Sequence, residues 1–217
     1  MMFTRPQITA ALLIAAAAWA GVLLLQGTKL TWEHAAPFTT VVSVLVLVAY
    51  AMEHWLWKLR FLQGFLFDRP DIRGTWKVSI QSSWVDPETN QGIPPISAFA
   101  AVTQTASKLE IHLLTPESES CLLAHSIKPS TCASRFEIAI AYANTPSVSL
   151  RGVRSERHVG AAVIATHGSK KYTPSALEAD YWTDRKTVGH MEFTERTDEV
   201  FSRFLDAKIH FDARTKS

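Results

Sequence analysis

Two kinds of hydrophobic pattern divide the chain. Residues 8–25 carry no charge and only Thr9 as a polar side chain, about 18 residues or about 27 Å at a helical rise. Residues 38–52 are again uncharged, and continued through Trp57 they are long enough to cross about 30 Å of hydrocarbon. The polar link between them, 26–37, is short, so the two segments read as a transmembrane hairpin. A buried soluble helix would show a polar face, and these segments have none. After Pro70 the pattern changes to alternation of period two, the signature of half-buried strands.

Eight candidate strands follow, at 72–81, 96–103, 108–115, 120–127, 136–143, 158–165, 176–183 and 188–194. Turns rich in Pro, Gly, Asn and Ser separate them. In the fifth, Phe136, Ile138, Ile140 and Tyr142 share one face, and Glu137, Ala139 and Ala141 the other. Residues 198–210 predict a terminal amphipathic helix with Thr197 as its N-cap. Eight short sequential strands suit one antiparallel up-and-down β-barrel, whose closure removes exposed edges and whose lumen holds one small ligand. A sandwich has the same strand count. The expected organisation is a helical hairpin over 1–60, a linker over 61–70, a β-barrel ligand-binding domain over 71–196 and a C-terminal helix or tail over 197–217.

Flanking charges orient the hairpin. Arg5 precedes the first span; Lys58, Arg60, Arg69 and Arg73 follow the second; the intervening loop has only Lys29. Positive-inside logic puts both ends, and so the barrel, in the cytoplasm of a bacterial cell with the hairpin in its inner membrane. Trp55 and Trp57 sit where an interfacial aromatic belt would lie, with Glu53 and His54 at the same depth. Ala11, Ala15, Ala17 and Gly21 let helices approach closely. A cleavable signal peptide would account for Arg5 and Ala18-Trp19-Ala20, but the apolar run continues past Gly21 and the second span would remain.

Composition narrows the partners. A net charge of +2 does not argue for a DNA or RNA polymer. Cys121 and Cys132 have no zinc spacing, and a cytoplasmic domain would keep them reduced. Neither a metal nor a cofactor is expected, and no catalytic residue is assigned. Histidines such as His112, His125, His158 and His167 stand at no recognisable metal-site spacing, and no hydrolase motif appears.

Gly74-Thr75-Trp76 at the first strand resembles the G-x-W that opens lipocalins, where the Trp plugs one end; Trp76 is then a core or ligand-contacting residue. A broader resemblance runs through Asp71-Ile72-Arg73-Gly74-Thr75-Trp76-Lys77, 104–111, Tyr142-Ala143-Asn144-Thr145-Pro146, His158-Val159-Gly160, Leu177-Glu178 and 181–187, ending at Gly189. In this order, behind a membrane hairpin, the segments resemble the two-transmembrane β-strand-rich effectors (S-2TMβ type) of bacterial cyclic-oligonucleotide antiphage (CBASS) systems. Ala161 follows Gly160 where that family typically has Thr. The resemblance implies an antiphage effector whose barrel binds a cyclic nucleotide made by a partner CD-NTase. The ligand then drives homo-oligomerisation, and the clustered helices disrupt the lipid bilayer.

A cyclic dinucleotide offers two phosphates and two flat bases, which call for cationic or hydrogen-bonding donors and aromatic faces. Tyr181, Thr183 and Arg185 alternate along one strand and its exit, and Tyr142 and Asn144 share another face. Gln104 and Ser107 flank a turn and offer further polar contacts. The tyrosines are equally suited to filling the barrel, and Arg185 to a solvated turn. Competing functions are a membrane-tethered lipocalin-like carrier of an apolar ligand, an enzyme, and a purely structural membrane subunit.

Overall fold

The computed structural model describes residues 5–27, 32–85, 90–131, 133–151 and 156–215, with the backbone alone for 5–14, 32–39 and 215. Lys29 and Cys132 lie outside the described residues, as do the side chains of Arg5 and Ala11. The chain divides into two compact units, Met1–Trp57 and Lys58–Ser217.

The first unit holds two helices, α1 (Arg5–Leu25) and α2 (Trp32–His54), over the two uncharged stretches. Their side chains are described at 15–25 and 40–54. Among the described residues no helix is long and apolar enough to cross a membrane. Apolar side chains nevertheless stand exposed along both, Leu25, Leu45 and Leu47 among them.

The second unit is an eight-stranded closed antiparallel barrel in simple sequential order. Its strands are β1 (Gly74–Ser82), β2 (Ile96–Gln104), β3 (Leu109–Leu114), β4 (Ser118–Pro129), β5 (Phe136–Pro146), β6 (His158–His167), β7 (Ala176–Thr183) and β8 (Val188–Thr197). Pairing of β1 with β8, Ser79 opposite Glu192, closes the ring. Alternation sorts the residues: Trp76, Val78 and Ile80 of β1, Ile138 of β5, Ile164 of β6 and Phe193 of β8 enter one core, while Glu137, Val163 and Glu192 face out. Each large side chain so buried contributes about 1.5–3 kcal/mol. A bulge between Leu122 and Ala124 of β4 keeps Leu122 and Ile127 both facing inward, although an odd number of positions separates them.

The terminal helix differs from expectation. It is α3 (Phe204–Thr215), not 198–210, and Thr197 is the last residue of β8 rather than an N-cap. The cause is a long-range bond: Thr75 Oγ1 donates to the Glu199 carbonyl and accepts from the Phe201 amide, holding 199–201 as a connection. The helix then lays Phe204, Ala207 and Phe211 on Phe99, an outward-facing residue of β2, with the Phe99 and Phe211 rings stacked at 5.3 Å.

The residues before β1 belong to this unit by their bonding. The Asp71 amide donates to the Tyr172 carbonyl at 2.8 Å, and the Tyr172 hydroxyl to Asp68 at 3.1 Å. The expected linker over 61–70 is thus folded onto the β6–β7 loop.

Candidate functional site at the barrel mouth

The barrel has a sealed end and an open one. At the sealed end, where β1 starts and β2 finishes, Trp76 is fully buried; its Nε1 donates to the Ile72 carbonyl, and the Arg196 guanidinium lies 5.5 Å from its ring centre. Gln104 is buried beside it. Its Oε1 accepts from the Ile72 amide at 3.1 Å and its Nε2 donates to the Pro70 carbonyl at 2.8 Å, so both halves of the amide hold the incoming chain. Ser107 lies in the β2–β3 turn at this same end. Asp71 is largely buried here; Arg73, through a two-pronged ion pair at 2.7–2.8 Å, and Arg196 hold its carboxyl below the usual range against the opposing effect of burial.

The other five residues singled out from the sequence meet at the opposite end. Strand register sets them side by side: Ser120 of β4 opposite Asn144 of β5, Tyr142 of β5 opposite Gly160 of β6, Gly160 opposite Thr183 of β7, and Tyr181 of β7 opposite Gly189 of β8. Each tyrosine thus faces a glycine on the neighbouring strand, and the match is steric. A Cβ at Gly160 would lie 2.5 Å from the Tyr142 hydroxyl, and one at Gly189 would lie 2.6 Å from that of Tyr181. Both rings therefore recline across bare backbone. Tyr142 and Tyr181 remain only half-buried, with their inner edges against the core.

Polar groups complete the rim. Asn144 Nδ2 donates to the hydroxyls of Ser118 and Ser120 at 3.1 and 2.9 Å, while its Oδ1 is buried and has no partner among the described residues. One end of the amide is fixed and the other carries a buried acceptor with no partner, one of several such atoms among the described residues. Thr183 and Thr187 hydroxyls pair at 2.8 Å across the β7–β8 turn, which presents Asp184, Arg185 and Lys186. Arg185 is exposed and approaches His158 Nε2 at 3.5 Å. Burial, and then the Arg185 charge, push His158 below the usual histidine value, partly opposed by its contact with the Glu156 carbonyl. Burial and Tyr181 push Tyr142 up to about 12, so its hydroxyl stays neutral. A shallow depression of about 540 Å³ runs beside this rim between β7, β8 and the end of β1, past Tyr181, Gly189 and Gln81.

Ser118, Ser120 and His158 were not singled out as site residues from the sequence. The Ser-x-Ser alternation in phase with inward-facing Leu122 was the available signal.

Fold and rim together define a closed barrel with a polar, aromatic-lined mouth. The family model "Cap15, cyclic dinucleotide receptor domain" matches residues 67–195, more than half of the chain. The chain belongs to this family, and so to the cyclic-nucleotide-sensing effectors of CBASS defence. A comparison with curated proteins found no match.

Proposed function

We propose that the mouth is the cyclic dinucleotide site, and that its occupancy turns α1 and α2 into a membrane-disrupting element. The observation that carries this is the pair of tyrosines lying over Gly160 and Gly189, with the open end of the Asn144 amide beside them. Two tyrosine rings provide stacking faces for two bases, each worth about 1–3 kcal/mol. The Asn144 amide reads a base edge, and Arg185, with the Thr183 hydroxyl, meets phosphate. His158 joins this group. Gln104 and Trp76 act at the sealed end as structural residues, their polar atoms already engaged. Ligand binding then assembles several copies, and the helices, whose apolar side chains stand exposed, breach the inner membrane from a cytoplasmic barrel. The protein senses its ligand without converting it. A lipocalin-like carrier would need an empty apolar lumen, and this one is packed with its own side chains.

The test is a titration of the full chain, in detergent, with cyclic di- and trinucleotides and a linear dinucleotide control. A cyclic ligand at 100 times its Kd adds about 2.7 kcal/mol to stability, read as a thermal shift. No shift with any cyclic member sinks the reading. Recovery of a cleaved ligand sinks its non-enzymatic part. Ligand-dependent growth arrest in cells expressing the chain without residues 1–57 sinks the membrane part.

A further inference from the structure

The three turns at the sealed end share a charge pattern that the mouth lacks. Residues 105–108, 130–135 and 168–175 contain Lys108, Arg135, Lys170 and Lys171 and no Asp or Glu. The mouth turns mix signs, with Glu117 in one and Asp184 beside Arg185 and Lys186 in another. Lys108 and Lys170 are exposed.

Beside the cationic β6–β7 loop lies an apolar surface. The segment leading into β1 is coiled into tight turns, with Gln63 and Leu66 amides bonded back to the Leu59 and Leu62 carbonyls. Phe61 is 75 % exposed and Phe65 85 % exposed, with Leu66 next to them. The Tyr172 hydroxyl and Lys171 ammonium both reach Asp68, at 3.1 and 3.4 Å, and fasten this segment to the cationic β6–β7 loop.

We infer that the sealed end is a docking face for an anionic lipid surface: Phe61, Phe65 and Leu66 enter the acyl boundary while Lys108, Lys170 and neighbouring cations meet the headgroups. This rests on the membrane reading of α1 and α2 proposed above and adds to it an orientation for the barrel. Two observations select lipid as the occupant. The aromatic surface directly continues an apolar helical segment in the chain. The three turns of this end carry cations and no carboxylate, Asp68 being taken up by Lys171 and Asp198 and Glu199 lying outside these turns, after β8. The consequence is functional, because the mouth then points away from the bilayer, open to a soluble ligand.

The full chain, carrying Cys121→Ser and Cys132→Ser, is reconstituted in lipid nanodiscs with a spin label at Phe65→Cys or, in a second sample, at Glu117→Cys near the mouth. The label at 65 should be accessible to oxygen and shielded from a water-soluble nickel chelate, and the label at 117 the reverse. Replacing phosphatidylcholine with phosphatidylglycerol should deepen the label at 65. Lys108→Glu with Lys170→Glu should lower the docked-to-undocked ratio by more than about tenfold in the anionic discs. A label at 65 that stays water-exposed in discs of both compositions overturns the docking face and leaves the membrane reading standing. Failure of the chain to enter discs at all overturns both. Shielding that persists in detergent and grows with protein concentration would assign the surface to a second copy, and overturns the lipid assignment.

Discussion

Inward-facing positions at the two ends of the barrel come from the same alternation, yet they end in different states. At the sealed end Trp76, Ile138, Thr166 and Leu177 are at most 2 % exposed, and two inward polar side chains are committed: Thr166 Oγ1 accepts from the Phe136 amide, and the Gln104 amide holds both Ile72 and Pro70. At the mouth Tyr142, Asn144, Tyr181 and Thr183 are half-buried, glycines replace side chains opposite the rings, and Asn144 keeps one amide end open. A buried polar group with all its bonds made stabilises the fold, whereas one with a bond to spare is available to a ligand. Residue type alone does not separate these roles. Gln104 and Asn144 are both inward amides, and they differ in burial and in partners.

The contrast is broken most severely by substitutions at the sealed end. Trp76→Ala should cost about 3–5 kcal/mol in denaturant unfolding, with the ligand affinity of the remaining folded protein unchanged. An affinity loss as large as the stability loss would mean that the two ends are not separable. Tyr181→Ala should do the opposite, weakening cyclic dinucleotide binding by about 1–3 kcal/mol in calorimetric titration while altering stability far less, since the ring is only half-buried. Asn144→Leu comes next. Loss of one hydrogen bond to a base should lower affinity by about 0.5–1.5 kcal/mol, and should do so unequally across ligands that differ in one base. Uniform loss across such a panel would reduce Asn144 to a rim spacer.

Much of the barrel was legible because burial on one face writes period two into the chain. β7 (Ala176–Thr183) matches the expected bounds at both ends, and β6 starts as expected at His158. Where the pattern stopped, so did the reading. β4 runs on to Ser118 at one end and Pro129 at the other; its inward residues at the mouth are serines, and its bulge between Leu122 and Ala124 breaks the period of two. The start of α3 depends on Thr75, more than a hundred residues away, which no local pattern reveals. The clustering of Tyr142, Asn144, Tyr181, Thr183 and Arg185 at one end follows from strand direction, once the strands are in order. That Gln104 and Ser107 fall at the other end follows from the same rule.

The two ends should also respond to acid in different ranges, which gives the finest test of the comparison. Asp71 has a lowered pKa in the folded chain, so its contribution is complete above the ordinary aspartate value of 3.8 and is lost as the pH falls through the folded value below it. His158 is lowered too, so the sign is the same and only the range differs: the unfolded chain takes up the proton more readily, and stability declines as the pH drops below 6.5 and levels off beneath the folded value. A phosphate bound near Arg185 would offset the charge that now discourages protonation of His158. Binding should then take up protons, at most one per site, and affinity should rise modestly as the pH is lowered through this range. Calorimetry in two buffers of different ionisation enthalpy measures that uptake. His158→Gln should abolish it and leave the Asp71 transition in place; an unchanged uptake in that variant would remove His158 from the mouth's chemistry.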